Sequence, residues 1–135
     1  MSEDHVRLRV GREHYAAPVG GVREISPLVD ITAVPGAAAG VLGVWNLRGD
    51  VVAAIDLAVM LGVASGPAGR IVVVEGGDLH AGLVVEEVVD VGPLPGRVDP
   101  VEHPHLTGSV LADDTPVGLL DLESVLEAAR AGSSR

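Results

Sequence analysis

The amino-acid sequence predicts an all-β protein made of two small β-barrels that are related by internal duplication, with one short helix at the C-terminal end. Short runs of Val, Ile and Leu recur between Gly, Pro and Asp residues, a pattern typical of an all-β barrel or sandwich. Residues 6–61 and 71–126 also show the same signals in the same order. A repeat this long indicates two copies of one unit, because solenoid repeats have periods of roughly 20–50 residues.

The strands are predicted from apolar runs and the turns from Gly and Asp. Residues 6–10 alternate apolar side chains with arginine, which favours an edge or half-buried strand. Residues 51–55 and 71–74 are apolar throughout, which indicates strands that are buried on both sides, although periodicity alone leaves a buried helix open. Residues 76–78 and 113–114 are predicted hairpin turns, because Gly and Asp tolerate positive φ angles or cap the backbone locally.

The end of the second copy carries the helix signal. Leu122, Val125, Leu126 and Ala129 follow helical spacing, and Asp121 is placed to cap the helix N-terminus. We therefore expect a helix over residues 122–131 and a frayed tail after position 132.

The boundary between the barrels is predicted from the linker-like residues 65–69, Ser-Gly-Pro-Ala-Gly. The first barrel is expected mainly in residues 19–64 and the second mainly in residues 70–121. The N-terminal strand is the element that could join the second barrel instead of the first. All 135 residues then form one domain.

Composition excludes several classes of function. The chain has no cysteine, which rules out disulfides, thiolate metal sites and cysteine nucleophiles. The net charge of −10 repels phosphate backbones and anionic lipids, so neither nucleic-acid binding nor direct membrane binding is expected. The polar N-terminus is unlike a secretory signal, and the longest uncharged stretch, residues 31–47, is interrupted by proline and glycine. A soluble cytoplasmic protein is expected.

No catalytic or metal-binding motif is recognisable. The sequence lacks a phosphate-binding Gly-x-x-x-x-Gly-Lys loop, a Gly-x-Ser-x-Gly elbow and a His-Glu-x-x-His helix. His103 and His105 flank Pro104 at a spacing that matches no standard zinc pattern, so an exposed loop is the preferred interpretation. We expect no enzyme activity, no cofactor and no metal.

The two copies differ most at one predicted hairpin. Residues 46–50 read Asn-Leu-Arg-Gly-Asp, whereas residues 111–115 read Leu-Ala-Asp-Asp-Thr. Arg48 therefore stands at a tip where the other copy has Asp113. Its guanidinium could bind a carboxylate in the domain or on a partner, or it could be a solvated turn residue. Trp45 could be a core residue or could reach a partner from beside this tip.

This hairpin lies in a segment that resembles the signature of CheW-like domains. Residues 43–57 read Gly-Val-Trp-Asn-Leu-Arg-Gly-Asp-Val-Val-Ala-Ala-Ile-Asp-Leu. Residues 22–25 are similar to the family's V-x-E-I, residues 31–35 to its I-T-x-(I/V/L)-P, and residues 106–108 to its L-T-G. Ala53 departs from the proline that usually precedes the I-D-L.

The resemblance implies a fold, a function and partners. The fold is two SH3-like five-stranded barrels packed together. The function is that of a non-catalytic scaffold, recruited to membrane receptor arrays, that couples the cytoplasmic tip of chemoreceptors to the regulatory domain of a CheA-type histidine kinase. The alternative is a CheW-like interaction module in a non-chemotactic two-component pathway, and an acidic β-barrel enzyme is a third, formal possibility.

The resemblance also implies where partners bind. Glu24 and Arg48, which stand in two matching motifs, are expected to form an ion pair that holds a partner-facing surface in shape. The first barrel's hairpin is expected to contact the kinase domain, and a groove between the barrels is expected to accept the receptor tip. The residues proposed for the hairpin and its supporting pair are Glu24, Gly43, Val44, Trp45, Asn46, Arg48 and Gly49. Those proposed for the groove are Val22, Ile25, Leu83 and Val85.

Overall fold

The structure, a computed structural model, describes residues 3–133 and contains ten strands and two α-helices in this range. The first half of the chain comprises β1 (Asp4–Val10), β2 (Glu13–Pro18), β3 (Val22–Pro27), β4 (Val41–Leu47), β5 (Asp50–Asp56) and α1 (Leu57–Leu61). The second half comprises β6 (Arg70–Gly76), β7 (Leu79–Val85), β8 (Glu87–Pro93), β9 (Leu106–Ala112), β10 (Thr115–Leu120) and α2 (Leu122–Ser133). A short 3-10 turn, Val19–Gly21, connects β2 to β3. The same order of five strands and one helix thus occurs twice.

The strands form two five-stranded sheets that exchange elements between the two halves. The first sheet has the order β3-β6-β7-β5-β4 and the second has the order β8-β1-β2-β10-β9. When β1–β5 are matched in order to β6–β10, the order of one sheet becomes the order of the other. The first two strands of each half therefore lie in the sheet that contains the last three strands of the other half.

This exchange corrects the expected boundary between the barrels. Residues 70–85, which were assigned to the second barrel, form β6 and β7 of the first sheet. The second sheet takes both β1 and β2 from the N-terminus, beyond the single strand considered from the sequence. The reason is the long-range pairing of β5 with β7 and of β2 with β10, both parallel, which local hairpin signals do not reveal.

The main core lies between the two sheets and is shared by them. It joins Leu8 and Val10 of the second sheet to Ile55 and Leu83 of the first, all fully or nearly fully buried. Helix α2 follows the second sheet in the chain but packs on β6 and β7 of the first. The chain is therefore one domain in which the two barrels are held together by a common apolar interior.

Each helix is preceded by an aspartate that caps its N-terminus. The Asp56 side chain accepts a hydrogen bond from the amide of Ala58, and the Asp121 side chain accepts one from the amide of Ser124. Helix α1 ends after five residues at Gly62, which adopts a left-handed conformation. Helix α2 continues to position 133, two residues beyond the predicted end, and the remainder of the predicted tail lies outside the described residues.

Candidate protein-interaction site

The β4–β5 hairpin ends in a tight turn that requires positive φ angles. Arg48 has φ of 51° and Gly49 has φ of 91°, and the Gly49 amide donates to the Asn46 side-chain oxygen over 3.0 Å. Successive positive φ values are the mark of the two-residue turn whose twist suits a hairpin. Glycine adopts this conformation without strain, whereas Arg48 does so at a cost.

The Arg48 guanidinium forms the predicted ion pair with Glu24. Arg48 Nη1 donates to Glu24 Oε1, and Nη2 lies 3.4 Å from Oε2. The hydrogen bond and the charge of Glu24 raise the pKa of Arg48. The arginine side chain is 74% exposed and the glutamate 27%, so this pair lies at the surface.

The ion pair joins two parts of the first sheet that are not hydrogen-bonded to each other. β3 and β4 are the two edges of the first sheet and share no hydrogen-bonded ladder. The Glu24–Arg48 pair therefore spans the open seam of the first barrel, from β3 to the tip of the β4–β5 hairpin. In the second barrel the matching residues are Asp90 and Asp113, two carboxylates that cannot form an ion pair with each other. Asp90 instead accepts a hydrogen bond from Arg7 on β1 over 2.8 Å.

Outside this seam, the β4–β5 hairpin presents an apolar face. Cross-strand pairing places Val44 opposite Ala53 and Asn46 opposite Val51, and Val51 is 67% exposed. Val44, Val51 and Ala53 line one side of a groove whose other side is formed by α2. Val51 and Ala53 are not among the residues predicted from the sequence, although strand alternation and the register of a two-residue hairpin place them beside Val44 and Asn46.

Two of the predicted hairpin contacts are buried and do not form part of the exposed face. Trp45 is 8% exposed and packs in the first barrel with Val52 and Val73. Strand alternation explains this, because Trp45 points to the opposite side of β4 from Val44 and Asn46. Gly43 is also buried: a side chain there would meet the carbonyl oxygen of Thr32, 2.1 Å away.

The predicted groove residues are only partly correct. Leu83 and Val85 are buried in the shared core, because β7 is a central strand covered on both faces. They cannot line an open receptor groove. Val22 is half-buried against the same core, and Ile25 on the edge strand β3 is 42% exposed.

Exposed apolar side chains continue beyond β3. Leu28 and Val29 follow Ile25 and are also exposed, so residues 25–29 form an apolar edge on the first barrel. The prediction of a groove between the barrels is wrong at Leu83 and Val85, and Ile25 lies instead on an exposed strand edge.

The histidines of the β8–β9 connection are engaged in structural hydrogen bonds. His103 Nε2 lies 3.3 Å from the Leu61 carbonyl oxygen, and His105 Nδ1 lies 2.7 Å from Ser124 Oγ. The Ser124 hydroxyl donates to the Pro104 carbonyl, so His105 Nδ1 is the donor to Ser124. Within residues 3–133 no group of three or more His, Asp and Glu side chains could hold a metal ion. In the same range no helix is long and apolar enough to span a membrane.

Comparisons with known proteins agree with this architecture. The CheW-like domain model matches residues 4–130. The chain is 31% identical over 131 residues to a probable chemotaxis protein CheW of Rhizobium etli, covering 89% of this chain and 84% of that protein. It is 36% identical over 93 residues to the protein PilI of Pseudomonas aeruginosa, covering 67% of this chain and 52% of PilI.

A solved structure is also similar. The scaffolding protein TtCheW from Thermoanaerobacter tengcongensis superposes with a TM-score of 0.81 at 27% sequence identity, covering 90% of this chain and 86% of that one. This similarity confirms the predicted fold of two SH3-like barrels with a C-terminal helix. By its sequence and its architecture, the chain belongs to the family of CheW-like domains.

Proposed function

We propose that this chain is a non-catalytic adaptor that couples chemoreceptors to a CheA-type histidine kinase in chemotaxis. The observation that carries the proposal is the match of the CheW-like domain over residues 4–130, together with similarity to CheW proteins over most of the chain. The protein works in the cytoplasm and is recruited to receptor arrays at the membrane.

Within this function, the hairpin face of the first barrel is the surface that binds the kinase regulatory domain. Val44, Asn46 and Val51 are accessible there, and the Glu24–Arg48 pair fixes the hairpin against β3. An accessible apolar strip with a polar rim suits a protein interface. The backbone of Val44 is already hydrogen-bonded to Thr32, so the partner meets side chains of this face and not a free strand edge.

The receptor tip binds the apolar edge at residues 25–29. A helical hairpin tip presents apolar side chains, and Ile25, Leu28 and Val29 are the exposed apolar group on and beside β3. Two different partners can then occupy two different surfaces of the first barrel.

A non-chemotactic signalling pathway is the second candidate. It is favoured by the similarity to PilI, a relative whose name is not that of a chemotaxis protein. Affinity capture with the regulatory domain of a co-encoded CheA-type kinase, followed by a motility assay of a deletion strain, distinguishes the two. Capture with loss of directed motility supports chemotaxis, and capture with unchanged motility supports the alternative. A failure to capture any such kinase would overturn the adaptor proposal.

A further inference from the structure

Glu86 lies where the chain crosses from the first sheet to the second. β7 ends at Val85 in the first sheet and β8 begins at Glu87 in the second, so Glu86 is the single connecting residue. Its side chain is only 10% exposed, although glutamate is normally a surface residue. The carboxylate is turned inward toward two other segments of the chain.

Three donors from two other segments meet this carboxylate. The amide of Gly66, in the linker between the two repeats, donates to Oε2 over 2.6 Å. The amide of Gly11, in the β1–β2 turn, donates to the same oxygen. The guanidinium of Arg9 on β1 lies 3.2 Å from Oε1. One side chain therefore ties the sheet-to-sheet crossing, the linker and the second barrel's first hairpin together.

The backbone is fitted closely around this point. A side chain at Gly69 would lie 2.1 Å from the Glu86 carbonyl oxygen, and a side chain at Gly11 would lie 2.3 Å from the Ala64 carbonyl oxygen. The Glu86 amide also donates to the Arg9 carbonyl over 3.1 Å. The linker is thus packed against the crossing and is not a free connection.

The duplication shows that this arrangement is specific to the second copy. The residue that matches Glu86 in the first copy is Gly20, at the β2–β3 crossing. Gly20 has no side chain with which to bind another segment. The two crossings are related by the repeat, and only one of them carries a carboxylate.

We propose that Glu86 is a positioning residue that fixes the orientation of the two barrels relative to each other. The apolar core between the sheets attracts without strong directional preference, whereas hydrogen bonds to a charged group are directional. Glu86 supplies such bonds at the crossing. The consequence for partner geometry rests on the proposed adaptor function, but the role in barrel orientation does not.

The test compares full-length variants by NMR. Glu86→Gln removes the charge, and Glu87→Gln is the matched control because Glu87 also binds Arg9, over 3.0 Å, but is exposed and does not contact the linker. Residual dipolar couplings are fitted separately for the strands of each sheet. We expect one alignment tensor for the wild type and Glu87→Gln, and two different tensors for Glu86→Gln.

Amide exchange gives a second measurement in the same samples. The Gly11 and Gly66 amides should exchange about tenfold faster or more in Glu86→Gln, because each loses a bond to a charged acceptor. The exchange rates of amides in the central strands should be unchanged, and this result would show that the variant is folded.

A second variant covers the case in which Glu86→Gln does not fold. Gly66→Ala changes no charge, yet its new side chain would lie 2.9 Å from Glu86 Oε1 and displace the carboxylate. It should also give two tensors. A single shared tensor in the folded variants, or the same change in Glu87→Gln, would overturn the proposal. Because the test uses no partner, its failure would leave the adaptor function standing, and a failed kinase capture would leave the role of Glu86 standing.

Discussion

Arg48 and Glu24 connect the two edges of the first sheet across its open seam. Both residues were singled out from the sequence, and their pairing is confirmed. The pair is largely exposed, so its contribution is to the shape of the hairpin surface more than to the stability of the fold.

A charge exchange tests this role. Arg48→Glu should place two carboxylates at the seam and weaken kinase-domain binding, while the double variant Glu24→Arg with Arg48→Glu should recover much of it. Titration calorimetry at low and high salt measures both effects, and the difference between the variants should shrink at high salt. Equal binding by the single and double variants would contradict a role for the pair.

The matching turn of the second barrel predicts a stabilising substitution. Asp113 and Asp114 have φ of 50° and 66°, values that aspartate adopts less readily than glycine. Asp114→Gly should stabilise the protein by on the order of 1 kcal/mol, the scale of the left-handed penalty for residues other than glycine. Urea denaturation measures this change. The same substitution at Asp50, which lies in a strand without a positive φ, should destabilise the protein.

Trp45, the only tryptophan, reports on the interior of the first barrel. Its fluorescence should be blue-shifted and weakly quenched by acrylamide, both before and after the kinase domain binds. Trp45→Ala should cost about 3–5 kcal/mol of unfolding free energy. Gly82→Ala should also destabilise, because its new side chain would lie 2.3 Å from the Trp45 ring. Strong quenching of Trp45 in the free protein would contradict its burial.

The carboxylate of Glu86 predicts an acid-dependent loss of stability. Hydrogen bonds from the Gly66 and Gly11 amides, in that order, lower its pKa below 4.5, and Arg9 adds to this effect while partial burial opposes it. A carboxyl group whose pKa is lowered by folding stabilises the folded state above its unfolded pKa. That contribution disappears as the pH falls through the folded pKa.

Further charged groups surround this carboxylate. Arg12, Glu13 and Asp56 line the adjoining clefts. Glu87 accepts a hydrogen bond from Arg9. Because the lowered pKa of Glu86 stabilises the folded state, denaturation at a series of pH values should show the wild type more stable than Glu86→Gln above about pH 5. This difference in unfolding free energy should close below pH 4.5. A difference that stays constant down to the acid limit would show that Glu86 does not act through its charge.

His105 predicts a second pH effect. Burial lowers its pKa below 6.5, the nearby His103 lowers it further, and Asp121 opposes the shift. The unfolded chain therefore binds a proton at a pH where the folded chain does not. The stability contribution is present above pH 6.5 and is lost as the pH falls toward the folded pKa. Replacing His105 by glutamine should flatten the pH profile of the unfolding free energy in this window.

The fold class and the duplication could be predicted because they rest on signals within the sequence, whereas the Glu24–Arg48 pair was expected only because two motifs resemble those of the CheW-like family. Apolar runs indicate strands, and Asp121 indicates the start of the C-terminal helix. The exchange of strands between the sheets depends on the pairing of β5 with β7, residues far apart in the chain, and no local pattern encodes it.

The site predictions failed where burial depends on the sheet context of a strand. Leu83 and Val85 lie on a central strand and are enclosed on both faces, whereas Ile25 lies on an edge strand and remains exposed. A run of apolar residues is compatible with either environment. The sequence likewise leaves open whether Trp45 is buried, and the register of β4 places it in the interior.

The division of partner surfaces is the prediction on which the proposed function depends most closely. Val51→Asp and Val44→Asp should each weaken binding of the kinase domain by tenfold or more, because an aspartate in a buried apolar interface lacks a partner for its charge, at a cost of about 1–3 kcal/mol or more. Ile25→Asp should weaken binding of a receptor tip fragment and leave kinase binding within about twofold, since surface substitutions away from an interface change free energies by about 0.5 kcal/mol or less.

Val91→Asp is the matched control for both measurements. Val91 is an exposed strand valine of the second barrel, 57% accessible, and lies on β8 outside both proposed surfaces. This variant should bind both partners normally. Surface plasmon resonance with separately immobilised kinase and receptor fragments gives the two affinities, and circular dichroism establishes that each variant is folded. A folded variant that changes only one surface should keep its affinity for the partner that binds the other surface. If Val51→Asp and Ile25→Asp each lose affinity for both partners equally, the two partners therefore share one surface.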